Sequence, residues 1–154
     1  MLTTSGWAPR EIGLLIVDHG SRRADSNQAL LGIVEQFASK YGLENVEPAH
    51  MELAEPSIKT GFEKCVSRGA RFVIVVPFFL LPGRHWDQDI PSLVAAAASG
   101  FPGTQHLVTA PLGTNSMMLK LMATQISQCL QHVAGQTDGC DLCRGTDKCS
   151  ILEG

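Results

Sequence analysis

Short apolar runs alternate with amphipathic segments along the chain, and this pattern predicts four strands, each followed by a helix. Buried strands are expected where runs of aliphatic and β-branched residues end at glycine or polar residues. The predicted strands are residues 12–17, 46–51, 72–79 and 107–110. Pro77 cannot donate a hydrogen bond to a neighbouring strand, so the paired part of the third strand is expected to end near Val76.

Helices are predicted where apolar residues recur three and four positions apart. Their ranges are residues 27–41, 56–68, 89–98 and 115–133. Asp25 or Ser26 is expected to cap the first helix, and Gly42 to end it. The last helix carries a methionine-rich apolar stripe, which we interpret as core or as a subunit contact rather than as a metal site.

The order βαβαβαβα predicts an α/β fold, with a four-stranded parallel sheet covered by helices on both faces. From Gly135 the composition changes to glycine, aspartate, threonine and cysteine. We therefore predict one domain over residues 1–134 and a flexible cysteine-rich tail over residues 135–154. Because the sheet is small and the last helix is apolar, a homodimer is also predicted.

Candidate catalytic residues follow three of the predicted strands. The carboxyl ends of parallel strands meet at one edge, which is where open α/β sheets bind ligands. His19 follows the first strand and His85 the third, while His50 and Glu52 close the second. Glu52 is favoured over His50 because it lies nearer the loop. Two imidazoles and a carboxylate suit a divalent metal or proton abstraction near neutral pH. Taken singly, His19 is equally consistent with a loop cap, and Glu52 with a solvated strand end.

Three arginines, Arg22, Arg23 and Arg84, lie beside these histidines. Guanidinium groups can grip carboxylates through paired hydrogen bonds, although a solvated rim would look the same in sequence.

Composition excludes several classes of partner. The 154 residues suit one domain, and a hydrophobic content of 44% is ordinary for a soluble globular protein. A formal net charge of −3 gives no basic field for nucleic acid. No apolar run approaches the roughly 20 residues of a membrane span. Residues 1–10 lack the basic start and apolar core of a signal peptide. Neither nucleic acid nor a membrane is therefore expected as a partner.

The five cysteines are unevenly spread. Cys140, Cys143 and Cys149 form a C-x2-C-x5-C pattern that suits an iron–sulfur cluster or zinc. Cys129 or the other subunit would supply the fourth ligand. The alternatives are a tail without a fixed ligand and a redox disulfide. Cys65 is expected to pack in or beside its helix; if it is exposed at a dimer seam, it would pair with its symmetry mate.

The two histidine blocks together resemble the short sirohydrochlorin chelatases. The blocks are residues 17–22 (VDHGSR) and 76–91 (VPFFLLPGRHWDQDIP), and residues 51–57 and 110–113 fit the same family. The match covers about residues 12–133. The resemblance implies that a lyase-type enzyme inserts a divalent metal into sirohydrochlorin, an octacarboxylate tetrapyrrole. Iron gives siroheme, and cobalt leads towards cobalamin. Short members of this family pair as homodimers.

The resemblance also implies roles for individual residues. By position, His19 and His85 are the family's active-site histidines, expected to hold the metal, and Glu52 stands where related chelatases place an acidic partner. Metallation removes two pyrrole protons, which imidazole and carboxylate groups can accept. Fe²⁺ is the expected substrate metal, with Co²⁺ as the alternative. The residues expected to bind the macrocycle are Ser21, Arg22 and Arg84.

The cysteine tail resembles the plant-type siroheme ferrochelatases, which are plastid enzymes associated with an iron–sulfur cluster. This resemblance implies a chloroplast location for a mature chain that lacks its transit peptide. Two other classes of protein are alternatives. A histidine phosphatase or mutase needs an arginine directly before the histidine, where this chain has Asp18. A non-enzymatic metal or iron–sulfur sensor would act through the cysteine tail and would not need His19 or His85.

Overall fold

The computed structural model of the protein describes residues 6–141, 143 and 146. Within these residues, four strands alternate with four helices, as predicted. The strands are β1 (Ile12–Asp18), β2 (Val46–His50), β3 (Phe72–Pro77) and β4 (Gln105–Val108). The helices are α1 (Ala24–Tyr41), α2 (Ile58–Ser67), α3 (Ile90–Ala98) and α4 (Ser116–Val133).

The sheet is entirely parallel, with the strand order β2-β1-β3-β4. β1 lies in the centre, because it pairs with β2 as far as Asp18↔His50 and with β3 as far as Val17↔Pro77. Pro77 is the last residue of β3, one residue beyond the predicted end of pairing. The missing N–H of proline is tolerated at this position because the strand stops there.

Helices cover both faces of the sheet, which confirms the predicted architecture. On one face, Leu15 of β1 belongs to a buried cluster with Phe62 of α2 and Val94 of α3. On the other face, Ile16 belongs to a second cluster that includes Val34 of α1. The direction of the β1 side chains alternates, as the two-residue period of a strand requires. α1 therefore lies on one side of the sheet, and α2 and α3 lie on the other.

Cys65 is fully buried, as predicted for a residue that packs beside its helix. A Cβ at Gly13 of β1 would lie within van der Waals overlap of the Cys65 side chain, so the absence of a side chain at Gly13 makes room for it. Burial raises the pKa of the Cys65 thiol to about 12. Because Cys65 is buried, it lacks the exposure that the predicted intersubunit disulfide requires.

Several element boundaries differ from the prediction, among them those of α1 and β4. α1 begins at Ala24, so Asp25 and Ser26 lie inside its first turn, and the cap position is Arg23 without a side-chain cap. Gly42 does end the helix, in a left-handed conformation. β4 spans Gln105–Val108, two residues earlier than predicted, because its register with β3 aligns Gln105 with Phe72.

The chain forms two compact units, Met1–Gly113 and Thr114–Gly154. The first contains the sheet with α1 to α3, and the second contains α4. The prediction of a boundary between residues 134 and 135 stays a prediction. Asn115 caps α4 by accepting a hydrogen bond from the Met117 N–H at 2.9 Å. No residue of α4 with a described side chain is buried. The interpretation of its methionine-rich stripe as core or as a subunit contact stays a prediction. None of the described helices has the length and hydropathy needed to cross a bilayer.

Candidate active site

The site lies at the carboxyl ends of β1 and β3. These neighbouring strands are followed by helices on opposite faces, because α1 follows β1 and α3 follows β3. Such a reversal opens a crevice beyond the strand ends, and this is the place where α/β sheets bind ligands. His19 directly follows β1, and His85 belongs to the segment after β3. The fold therefore brings the two histidines to the same crevice.

Hydrogen bonds donated by the main-chain N–H groups of Gly20 and Glu52 hold His19 in a tight turn against the end of β2. Gly20 has φ +83° and donates its N–H to Asp18 Oδ1 at 2.9 Å. A side chain at Gly20 would overlap the carbonyl oxygen of Glu52, so glycine is needed at this close approach. The N–H of Glu52 donates to the carbonyl oxygen of His19 at 3.1 Å. The hydrogen bonding between β1 and β2 thus continues beyond the last residues of both strands and fixes the backbone of His19.

Glu52 also contacts the imidazole of His19. Its Oε1 lies 3.1 Å from His19 Nε2, and both side chains are exposed. The other ring nitrogen, Nδ1, lies 3.2 Å from the carbonyl oxygen of Gly20. Each ring nitrogen of His19 therefore faces an oxygen acceptor. The prediction that Glu52, rather than His50, faces the loop agrees with this geometry, because His50 is fully buried.

His85 is supported by a carboxylate that the sequence analysis did not assign to the site. A π-helical turn, His85–Asp89, leads directly into α3. His85 Nδ1 lies 2.8 Å from Asp89 Oδ2, and Arg84 Nε lies 3.4 Å from the same oxygen. The hydrogen bond from His85 and the nearby charge of Arg84 lower the pKa of Asp89. With a hydrogen on Nδ1 directed at Asp89, Nε2 of His85 carries the lone pair that a metal needs.

The two imidazoles lie side by side. The ring centroids of His19 and His85 are 5.1 Å apart and the ring planes meet at 71°. The ring of Phe79 lies 6.5 Å from that of His85 in a stacked orientation. Among the described residues, no group of three or more histidine, cysteine, aspartate or glutamate side chains has a geometry that could hold a metal ion. The arrangement therefore offers two imidazoles with carboxylates behind them, not a closed metal cage.

Ser21 is held by Asn27, a residue that the sequence analysis read only as the start of a helix. Asn27 Oδ1 accepts from the Ser21 N–H at 2.9 Å, and its Nδ2 donates to the Ser21 carbonyl at 2.8 Å. The hydroxyl of Ser21 accepts from the Arg23 N–H at 3.1 Å. Arg22 is exposed and makes no hydrogen bond or ion pair with another described residue. Its guanidinium is therefore available to a ligand, whereas Arg84 is shared with Asp89.

Exposed apolar side chains lie in the segments that follow β2 and β3. These are Leu53, Phe78, Leu80 and Leu81. Trp86 instead anchors its loop, because its Nε1–H donates to the Thr109 carbonyl at 2.8 Å. A cavity of about 530 Å³ lies at the opposite, amino-terminal edge of the sheet, next to Arg10 and Arg68. The two histidines thus lie at an exposed site that is separate from this cavity.

The cysteines of the tail are only partly described. Cys143 donates its N–H to the carbonyl of Cys140 at 3.2 Å, so these two residues share one turn. Cys129 lies on α4, and Cys149 lies outside the described residues. The iron–sulfur cluster stays a prediction.

Comparisons with known proteins agree with the resemblance in the histidine blocks. The CbiX family model matches residues 13–129. The chain is 55% identical over 139 residues to the chloroplastic sirohydrochlorin ferrochelatase of Arabidopsis thaliana, an alignment covering 90% of this chain and 62% of that protein.

Two solved structures of Bacillus subtilis SirB have a similar fold. The one described with Fe³⁺ has a TM-score of 0.72 and 32% identity, and the match covers 76% of this chain and 46% of that chain. The sirohydrochlorin chelatase SirB in complex with cobalt, from the subspecies spizizenii, has a TM-score of 0.71 and 33% identity, over 76% of this chain and 50% of that chain. This chain therefore spans between about half and three-fifths of the length of these relatives. With the family model covering most of its length, the chain belongs to the CbiX family.

Proposed function

We propose that the protein is a sirohydrochlorin ferrochelatase, which inserts Fe²⁺ into sirohydrochlorin and releases two protons to give siroheme. One observation carries the proposal: the rings of His19 and His85, from two different strand ends, lie 5.1 Å apart at the crevice between β1 and β3. The 55% identity to a chloroplastic sirohydrochlorin ferrochelatase supports the same substrate and metal.

In this proposal the two histidines hold the incoming ion on one side of the macrocycle. His85 binds through Nε2, because its Nδ1 is bonded to Asp89. His19 binds through Nε2 after Glu52 moves away from it, and Glu52 then accepts a pyrrole proton. Two protein ligands suit this task, because the ion must leave for the four pyrrole nitrogens. A complete protein cage would hold it back.

The macrocycle is expected to lie on the exposed apolar side chains in the segments that follow β2 and β3. The four side chains are Leu53, Phe78, Leu80 and Leu81. A flat tetrapyrrole can bury such groups without entering an enclosed pocket. Arg22 and Arg84 would bind its peripheral carboxylates, and Ser21 would contribute its hydroxyl hydrogen. Arg22 is available for this role, because it makes no hydrogen bond or ion pair with another described residue.

Iron is proposed over cobalt because of the Arabidopsis relative, while SirB structures are described with each metal. Imidazole and carboxylate ligands generally bind Co²⁺ at least as tightly as Fe²⁺, so affinity alone does not favour iron. Cobalt insertion into the same macrocycle is therefore the alternative. A chloroplast location is proposed from the same relative. A homodimer is proposed from the exposed apolar stripe of α4, which includes Met122, Ile126 and Leu130.

The test is metallation under anaerobic conditions, followed through the absorbance of the tetrapyrrole. Wild-type protein should convert sirohydrochlorin with Fe²⁺ well above the rate without enzyme. His19→Ala and His85→Ala should each lower the rate by about 100-fold or more, because each removes one of the two imidazoles that position the metal ion. His106→Ala is the matched control, because His106 is exposed on β4 and lies outside the site. Its rate should equal that of the wild type.

A wild-type rate no higher than the blank would contradict the proposal. A second arm tests the cysteines: the double variant Cys140→Ser/Cys143→Ser should keep its chelatase rate, while iron and acid-labile sulfide should be lost if the predicted cluster is present. Loss of the rate in that variant would favour a role for the tail in catalysis instead.

A further inference from the structure

His50 is a buried polar residue that the proposed mechanism does not use. It is the last residue of β2, and its side chain has no exposed surface. His50 Nδ1 lies 2.6 Å from Asp18 Oδ1, so the hydrogen on this nitrogen is directed at the carboxylate. The other nitrogen, Nε2, is buried and has no hydrogen-bond partner among the described residues.

Such a group is a poor choice for stability alone. A buried polar atom without a partner opposes folding, because it loses its hydrogen bond to water and gains none in return. An apolar residue of similar volume would fill the same space without this cost. Residues that break a packing rule in this way are commonly found where function requires them.

The partner of His50 is placed at the base of the catalytic turn. Asp18 and His50 are register partners at the end of the β1–β2 ladder. Asp18 Oδ1 accepts two hydrogen bonds, one from His50 Nδ1 and one from the N–H of Gly20 at 2.9 Å. A single carboxylate oxygen therefore joins the buried imidazole to the residue that follows His19.

We infer that Asp18 and His50 form a positioning pair that sets the direction of the His19 ring towards Glu52 and His85. The buried imidazole fixes the Asp18 carboxylate, and the carboxylate fixes the N–H of Gly20. This bond holds Gly20 in its left-handed conformation, with φ +83°. The role assigned to His19 rests on the proposed function, but the geometric effect of the pair on the His19 ring does not.

The central test compares two substitutions of His50. In His50→Asn, the amide nitrogen can occupy the place of Nδ1 and donate to Asp18; His50→Leu fills a similar volume but cannot donate. We expect His50→Leu to lower kcat for metallation by about 10- to 100-fold, the usual effect of losing a group that orients a ligand. KM for sirohydrochlorin should change little. His50→Asn should restore most of kcat.

A second readout does not depend on activity. The ¹⁵N chemical shifts of the His19 ring should differ from the wild type in His50→Leu and match it in His50→Asn. Val94→Ala is the control for destabilisation, because Val94 is equally buried on the opposite face of the sheet. It should lower the free energy of unfolding without altering the His19 shifts or kcat.

If His50→Leu fails to fold, Asp18→Ala tests the pair from its more exposed side, where 23% of the side chain is accessible. It removes both hydrogen bonds and should displace the His19 shifts. Unchanged His19 shifts in the folded His50→Leu or Asp18→Ala variant would overturn the inference. Equal losses in His50→Leu and His50→Asn would also overturn it. If the wild type does not metallate sirohydrochlorin, the proposed function fails, and the ¹⁵N shifts still decide the positioning role.

Discussion

The two histidines of the site are held in different ways. His19 is fixed mainly by the backbone: its carbonyl accepts from Glu52, and the adjoining Gly20 is tied to Asp18. His85 is fixed by a side chain four residues further along the same π-turn, the carboxylate of Asp89. The first support depends on the pairing of two strands that are distant in sequence. The second is local.

This difference shows how one site combines two kinds of rigidity. The position of the His19 turn depends on the pairing of β1 with β2. A substitution that disturbs this turn should therefore lower both the free energy of unfolding and the metallation rate. The orientation of the His85 ring depends on one charged hydrogen bond. Loss of this bond should lower the metallation rate more than it lowers the free energy of unfolding.

The largest effect is expected from Gly20→Ala. A Cβ there would overlap the Glu52 carbonyl, and the residue would have to adopt φ +83°. Backbone strain of this kind costs about 1–3 kcal/mol, which should appear in urea unfolding. Metallation should fall by about 100-fold or more, because the His19 turn must shift.

Gly32→Ala is the control for this prediction. Gly32 lies in α1 with no atom within 4 Å of a Cβ. This substitution should stabilise the protein by about 0.5–1 kcal/mol and leave the metallation rate unchanged. A Gly20→Ala variant with wild-type stability and rate would show that the backbone support is dispensable.

The next effect concerns the local support. Asp89→Ala should lower the metallation rate by about 10- to 100-fold, because the His85 ring loses the group that orients it. Asp87→Ala is the matched control, since Asp87 lies exposed on the same turn. Steady-state kinetics should show no change for Asp87→Ala. Equal rates for the two variants would remove Asp89 from the site.

A smaller effect is expected in the pH dependence of stability. The folded-state pKa of Asp89 is lowered by the hydrogen bond from His85 and by Arg84. A lowered carboxyl pKa stabilises the folded state above the ordinary value of 3.8, and this stabilisation is lost as the pH falls through the lowered value. The difference in unfolding free energy between wild type and Asp89→Asn should therefore be constant above about pH 5 and shrink below pH 4. A difference that grows on acidification would contradict the assignment.

The smallest effect is expected at Glu55, in the loop that carries Glu52. Its carboxylate accepts from the Ser57 N–H at 2.7 Å and from the Thr60 hydroxyl at 3.0 Å, and these bonds lower its pKa. Glu55→Gln keeps an acceptor and should leave kcat nearly unchanged. Urea titration of Glu55→Gln beside Glu55→Ala should show the larger loss in the alanine variant. A large fall in kcat for Glu55→Gln would make the loop a third support of the site.

The sequence predicts the backbone support of His19 better than the side-chain support of His85. The position of His19 follows from a buried strand that ends in Asp18, and strand ends can be located from hydrophobic runs. The register Asp18↔His50 then brings Glu52 beside His19. The resemblance in the two histidine blocks pointed to the same family that the comparisons show.

Other features depend on contacts that periodicity does not encode. The π-turn and the bond between His85 and Asp89 look like an ordinary helix start in sequence, although the spacing of four residues is a usable signal. Asn27 reads as an ordinary helix residue, yet its amide holds Ser21 in place. The start of β4 was misplaced because its pairing with β3, not its own hydropathy, sets the boundary.

The open surface around the histidines has a consequence for how water is removed. Within the described residues, the side chains of His19 and Glu52 are both solvent-accessible. In water the ionic contacts of such groups are weakened by the high dielectric constant and by salt. A broad, flat ligand such as the proposed tetrapyrrole would cover these two groups when it contacts the leucine and phenylalanine side chains. By excluding water, such a ligand would lower the local dielectric constant and strengthen the polar contacts beneath it. The proposed substrate would thus supply the dry surroundings that these contacts need.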